Sequence, residues 1–305
     1  TLFRSGRHGK GCGGGIGCVV QAGFGQGQGG ELAGLVSVVM VRSEGKDYVM
    51  KDGDITLKAT KEEYNSNDGQ HIIIEDTGVV DSGKNANLIT ENGDLVVTDN
   101  VKSKGSLNAE TQGKGNITLG KDVSVKNDMV MKTEEGDITI GKDITANQGS
   151  VTLTTGSGNI TVGVDNGSGQ KVGIIDANGT VNINTGTGTG AGNNNNVNIE
   201  TSVESKAESV NIKVKDGDIH IGNNGPDTNT VTAKENVTME TTGGTITVDG
   251  KTSTQDGDIT LKAVNKDYAP GQNIIINNGT DSAGIEHNGK VISGKDANLV
   301  SVNSD

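Results

Sequence analysis

Three Asp-Gly-Asp triplets, at Asp52/Asp54, Asp216/Asp218 and Asp256/Asp258, come nearest in type and spacing to catalytic chemistry. Paired carboxylates can share general acid and general base work, and carboxylate pairs beside Lys or Arg would suit a polysaccharide lyase or hydrolase. The same slot elsewhere holds Asn, Ser or Thr, as in Gly115-Asn116, Gly149-Ser150 and Gly179-Thr180. Asp and Asn form turns through their own side-chain hydrogen bonds. The triplets therefore read first as solvated corners, and no catalytic residue is assigned. His8, His71, His220 and His287 are scattered, with no second His or Cys at ligand spacing, so no metal site is assigned. The Gly-Gly-x-Gly-x-Asp nonapeptide and the EF-hand loop are both missing, which leaves calcium without a motif. No Gly-x-Ser-x-Gly elbow, phosphate loop or dinucleotide fingerprint occurs, and no cofactor is expected. Six Asn-x-Ser/Thr sequences, at Asn116, Asn159, Asn166, Asn178, Asn236 and Asn278, are by-products of the repeating blocks.

The elements carrying these residues repeat. Residues 115–125 read Gly-Asn-Ile-Thr-Leu-Gly-Lys-Asp-Val-Ser-Val, and 136–146 read Gly-Asp-Ile-Thr-Ile-Gly-Lys-Asp-Ile-Thr-Ala. A partial third copy starts at Gly158. Apolar-polar-apolar alternation is the mark of a strand with one face buried. A unit this short cannot bury its own apolar side and must stack on its neighbours. Other blocks of the form Gly, small polar, apolar-polar-apolar begin at Gly53, Gly93, Gly149, Gly179, Gly217, Gly244 and Gly257. In this reading Gly supplies a positive φ at each corner, the polar residue closes the turn, and the apolar pair points inward around an outward Thr, Asn or His.

Stacking gives columns. Ile117, Ile138, Ile160 and Val181 make one, Val130, Val151 and Val172 a second, and Val123 with Ile144 a third. Three columns per period of about 21 residues predict three faces per coil, a right-handed parallel β-helix. Phase is lost between Thr185 and Asn196. With about 12 coils at ~4.8 Å each, the expected rod is roughly 55–60 Å long.

A longer repeat overlies the short one. Asp52–Ala59 is identical to Asp256–Ala263, and both are followed by a Tyr (Tyr64, Tyr268), three Ile and a Gly-Lys-x-Ala-Asn-Leu block. The expected organisation is a non-repeat leader over 1–47 and a β-helix over 48–305, the latter cut within a second copy of a ~204-residue module. Residues 1–46 hold both Cys (Cys12, Cys18), both Phe and 14 of the 49 Gly, and carry a net charge of +3. The chain as a whole stands at −13, with 30% hydrophobic and 2% aromatic residues. That balance borders on disorder, and only the alternation argues for an ordered body. So acidic a surface repels phosphate backbones and anionic lipid, which predicts no nucleic-acid partner. The longest apolar run, Leu32–Val41, is half of a membrane span, so no direct membrane insertion is expected.

The runs of Gly-[Asp/Asn/Ser]-Ile-Thr-[Leu/Ile/Val] from about residue 48 onward resemble the repeats of filamentous-haemagglutinin-like adhesins, large bacterial exoproteins exported by two-partner secretion or as autotransporter passengers. The likeness is one of repeat style, shared with other β-helical passengers. It implies a β-helix stalk at the cell surface or released from it. It also implies an export partner in the outer membrane, and adhesion to receptors or glycans on host cells or neighbouring bacteria. The competing reading is a polysaccharide-degrading β-helix enzyme. A third is an ice- or mineral-binding solenoid, resting on the outward Thr positions.

Overall fold

The computed structural model describes residues 52–59, 72–74, 79–188, 195–222, 230–264, 274–280 and 286–302, together with four short strands before residue 51. Tyr64, Tyr268, His8 and His71, and most of the leader, lie outside the described residues.

Each turn of chain contributes one strand to each of three sheets. Sheet A has twelve strands, and sheets B and C have ten each. A regular coil runs from Leu107–Lys114 in A to Ile117–Leu119 in B, to Val123–Val125 in C, and back to A at Met129–Glu135. From Leu107 onward every ladder within the three sheets is parallel. The molecule is a parallel β-helix. Pairing starts upstream of residue 48, where Gly34–Val38 lies parallel to Ile55–Ala59 and antiparallel to Gln21–Gly23. At ~4.8 Å per strand, the eleven spacings of sheet A span about 53 Å.

Between Ala86 and Val151, successive sheet A partners are 21 or 22 residues apart (Ala86, Leu107, Met129, Val151). Farther on, insertions lengthen the coils. An antiparallel hairpin, Val164–Asp165 with Lys171–Val172, interrupts one turn, and a second, Asn278–Thr280 with Glu286–Asn288, interrupts another. The chain between Thr185 and Asn196, where the sequence loses phase, is a third insertion, and residues 189–194 of it lie outside the described set.

These insertions correct two of the sequence columns. Ile117, Ile138 and Ile160 do stack in sheet B, but Ile160 is followed by Val197 rather than Val181, which belongs to sheet A beside Val151. Val130 is also out of its expected column. The residue stacking on Val151 is Met129, while Val130 points outward and is 36% exposed. Val172 sits in the first hairpin. The cause is that Gly-polar-apolar marks two different corners of each coil, the entries to A and to B. Motif spacing alone cannot tell them apart once a loop intervenes. Val123 and Ile144 pair in sheet C as expected.

The core is a continuous column of Ile, Val, Leu, Met and Ala, nearly all of it under 3% exposed. Inside it runs a polar seam that alternation does not foretell. Thr90, Thr111, Thr133, Thr155 and Thr185 are buried at the inward end of five successive sheet A strands, and Thr241 resumes the row after Val214. Each Oγ1 donates to a corner carbonyl: Thr90 to Gly93 (2.6 Å), Thr111 to Gly115 (2.9 Å), Thr133 to Gly136 (2.7 Å), Thr155 to Gly158 (3.0 Å) and Thr185 to Asn195 (2.8 Å) at the next corner of the same coil, and Thr241 to Gly217 at the corner of the coil before. A buried hydroxyl without a partner is costly, and one with a partner is mildly stabilising. Thr252, fully buried between Val231 and Val291 in sheet C, is the opposite case, because its Oγ1 has no hydrogen-bond partner among the described residues. Thr133→Val should therefore cost about 1 kcal/mol, and Thr252→Val should gain about as much. Urea midpoints of the two variants should move in opposite directions.

Candidate functional site

The Asp-Gly-Asp residues do not converge. Asp54 and Asp258 stand at the entry to sheet A, eight strands or about 38 Å apart, while Asp218 stands at the entry to sheet B. The second Asp of each triplet is occupied by backbone. Asp54 Oδ1 accepts from Asn85 N (2.8 Å), Asp218 Oδ1 from Thr245 N (2.7 Å) and Asp258 Oδ1 from Asp296 N (3.1 Å). At the entry to sheet B the pattern becomes a continuous ladder: Asp94 accepts from Asn116, Asn116 from Asp137, Asp137 from Asn159, Asn159 from Asn196, and Asn196 from Asp218. All five bonds are 2.7–2.9 Å. So the polar residue does not merely close its own turn. It holds the corner amide of the next coil, and either Asp or Asn can do so because only a carbonyl-type oxygen is needed.

A second cluster was not legible in the sequence. On the outer face of sheet B, His220 Nε2 lies 3.0 Å from Asp249 Oδ2 and Nδ1 lies 3.5 Å from Glu200 Oε1. Asn277 Nδ2 donates to the other oxygen of Asp249 (2.6 Å). Glu200, Gly222, Asp249 and Asn277 each follow a sheet B strand directly, one per coil. In the three coils just before, that position is Gly120, Gly141 and Gly163, with no side chain to reach a neighbour. The hydrogen bond to Glu200, aided by Asp249, raises the proton affinity of His220 above the usual histidine range, with burial opposing. In return, the bond to His220 pulls Glu200 below the usual carboxylate range against its own desolvation. Among the described residues no group of three or more His, Cys, Asp or Glu could hold a metal ion.

The third feature is basic. A shallow depression of about 620 Å³ opens where sheet C turns back to sheet A, and Lys102, Lys104, Lys126, Ser124 and Asn147 line it with Asp81. Lys102 points outward from its strand between Asp81 and Ser124. Lys104 and Lys126 stack in consecutive coils, because Lys104 N donates to Ser82 O and Lys126 N to Ser103 O. Five other lysines on the rod are tied across coils: Lys58 to Glu91, Lys114 to Glu135, Lys132 to Glu110, Lys206 to Asp176 and Lys262 to Glu240. The three notch ammoniums make no ion pair among the described residues. The signal was present in the sequence as Lys104 and Lys126, 22 residues apart and so in phase, but it needed the register to be read.

No family model, curated protein or solved structure matches the chain. Among the described residues no helix is long and apolar enough to cross a membrane.

Proposed function

We propose that the chain is a structural and adhesive stalk segment of a secreted or surface-displayed bacterial adhesin, without a catalytic site of its own. Its export would use an outer-membrane partner, and its ligands would be receptors or glycans on host or bacterial surfaces. The observation that carries this reading is what the repeat does with its acidic groups. The second Asp of each Asp-Gly-Asp triplet is a rung that holds successive coils together, as are Asp94 and Asp137 in the ladder from Asp94 to Asp218. A lyase or hydrolase would need such groups free and facing each other. Support for adhesion comes from the notch, where unpaired ammoniums project from a chain of net charge −13. Its chemistry fits acidic groups on a glycan, since exposed Lys is a flexible point-charge donor.

The test is retention of the purified chain on immobilised acidic polysaccharides, read alongside the release of new reducing ends. Lys102→Gln/Lys104→Gln/Lys126→Gln should weaken retention about tenfold at low salt and flatten its salt dependence, because three screened charges are removed. The fold should be unchanged, since all three side chains are exposed. Unaltered retention would remove the notch from the reading. Sustained release of reducing ends by the parent chain would replace the adhesin with the enzyme.

A further inference from the structure

We propose that Glu200, His220 and Asp249 form a pH-governed staple that ties three successive coils of the solenoid, closed when the His220 ring carries two protons and open when it carries one. Both ring nitrogens face a carboxylate oxygen, Nε2 toward Asp249 and Nδ1 toward Glu200. A carboxylate can only accept, and a neutral imidazole has one N–H to give. Both contacts are attractive together only in the imidazolium. With one proton gone, a nitrogen lone pair is left against a carboxylate oxygen.

The register shows what is tied. Asn198, His220 and Thr247 are the outward residues of three paired sheet B strands. Glu200 closes in on His220 from the coil before it, and Asp249 from the coil after it. Gly222 leaves the space for this. A Cβ there would lie 2.6 Å from Glu200 Oε2. Asn277, from a fourth coil, fixes the far oxygen of Asp249 and keeps the carboxylate aimed at the ring. The charged groups acting on the ring are thus Glu200 and Asp249, and Lys171 of the first hairpin acts on Glu200.

The direction of the response follows. Because the proton affinity of His220 is raised by folding, its contribution is complete below the ordinary value of 6.5 and is lost as pH rises through the higher folded value. Because that of Glu200 is lowered, its contribution is complete above 4.5 and is lost as pH falls through the lower folded value. The staple is closed across mildly acidic pH and opens on the alkaline side.

Two-dimensional NMR of the full chain gives the titration of His220 Hε1, assigned by its disappearance in His220→Gln. The expected midpoint lies above 6.5 in the parent and moves down in Glu200→Gln and in Gly222→Ala, which displaces Glu200. Amide exchange at Glu200, Gly222 and Asp249 should accelerate between pH 6 and 9 beyond the intrinsic rate in the parent, and not in His220→Gln. A parent midpoint at or below 6.5 would overturn the proposal. So would a midpoint unchanged in Glu200→Gln, or the same excess exchange in His220→Gln. If His220→Gln fails to fold, through-bond assignment of the parent identifies the His220 resonance, and the parent titration still decides the matter.

Discussion

Ile138→Asp is expected to unfold the middle of the solenoid, with a loss of several kcal/mol. Ile138 is fully buried in sheet B between Ile117 and Ile160. The substitution removes an aliphatic side chain worth about 2–5 kcal/mol when truncated in a core. It also places a carboxylate where no cation or donor can reach it. In a stack, a coil that cannot form also uncovers its two neighbours. Thr139→Lys, one residue on, faces water and should stay within about 0.5 kcal/mol. Urea unfolding followed by circular dichroism separates the two cases. Comparable losses from both variants would refute the assignment of inner and outer faces.

The second large effect is expected from a single methyl group. A Cβ on Gly136 would lie 2.1 Å from Gly115 O and 2.7 Å from its carbonyl carbon. Both are backbone atoms, held by the bond from Thr111 Oγ1 to Gly115 O and by the Asn116–Asp137 bond, so relief requires the coils to separate. The same approach recurs up the corner, at 2.2 Å for Gly158 on Gly136 O and 1.9 Å for Gly244 on Gly217 O. Gly136→Ala should cost about 3 kcal/mol or more, the upper end of overpacking penalties. Gly120 is the control. Its Cβ would meet nothing nearer than 3.4 Å, so Gly120→Ala should be neutral or slightly stabilising through the unfolded chain. Thermal midpoints of the two variants measure the difference. Equal midpoints would mean that the coils do not approach at this corner as described.

This corner shows where sequence reasoning succeeded for the wrong reason. Gly at each entry was legible, and Gly115 (φ 157°) and Gly158 (φ 151°) do take the expected positive φ, but at Gly136, Gly217 and Gly244 the requirement is close approach alone. The left-handed residue is the one before it at three corners: Asn92 (φ 54°), Asp216 (φ 59°) and Gly243 (φ 86°) precede Gly93, Gly217 and Gly244. A pattern of residue types records that a position is constrained, not which atom constrains it. The stack of Ile117, Ile138 and Ile160 was readable because 21–22 residues of uninterrupted alternation leave one register open. Val181 was not, because a hairpin and a loop break the count while the motif looks the same at two corners. The inward threonines were hidden for a related reason. Thr133 and Thr139 have the same side chain, and only the length of the sheet A strand places one inside and the other outside. The staple around His220 needed residues from coils 20 to 29 positions away, which no local pattern links.

The most direct test of the account is the register across the insertions, measured by dipolar coupling between paired nitroxide labels in a background with Cys12 and Cys18 changed to Ser. Thr161 and Asn198 are opposite one another on adjacent sheet B strands, whereas Asn182 lies opposite Thr152 in sheet A. Labels at 161 and 198 should show strong coupling, as expected of neighbouring strands ~4.8 Å apart. Labels at 161 and 182 should couple more weakly, since they project from different faces. The reverse order would contradict the three-sheet stack described here, and with it every column, ladder and staple built on that register.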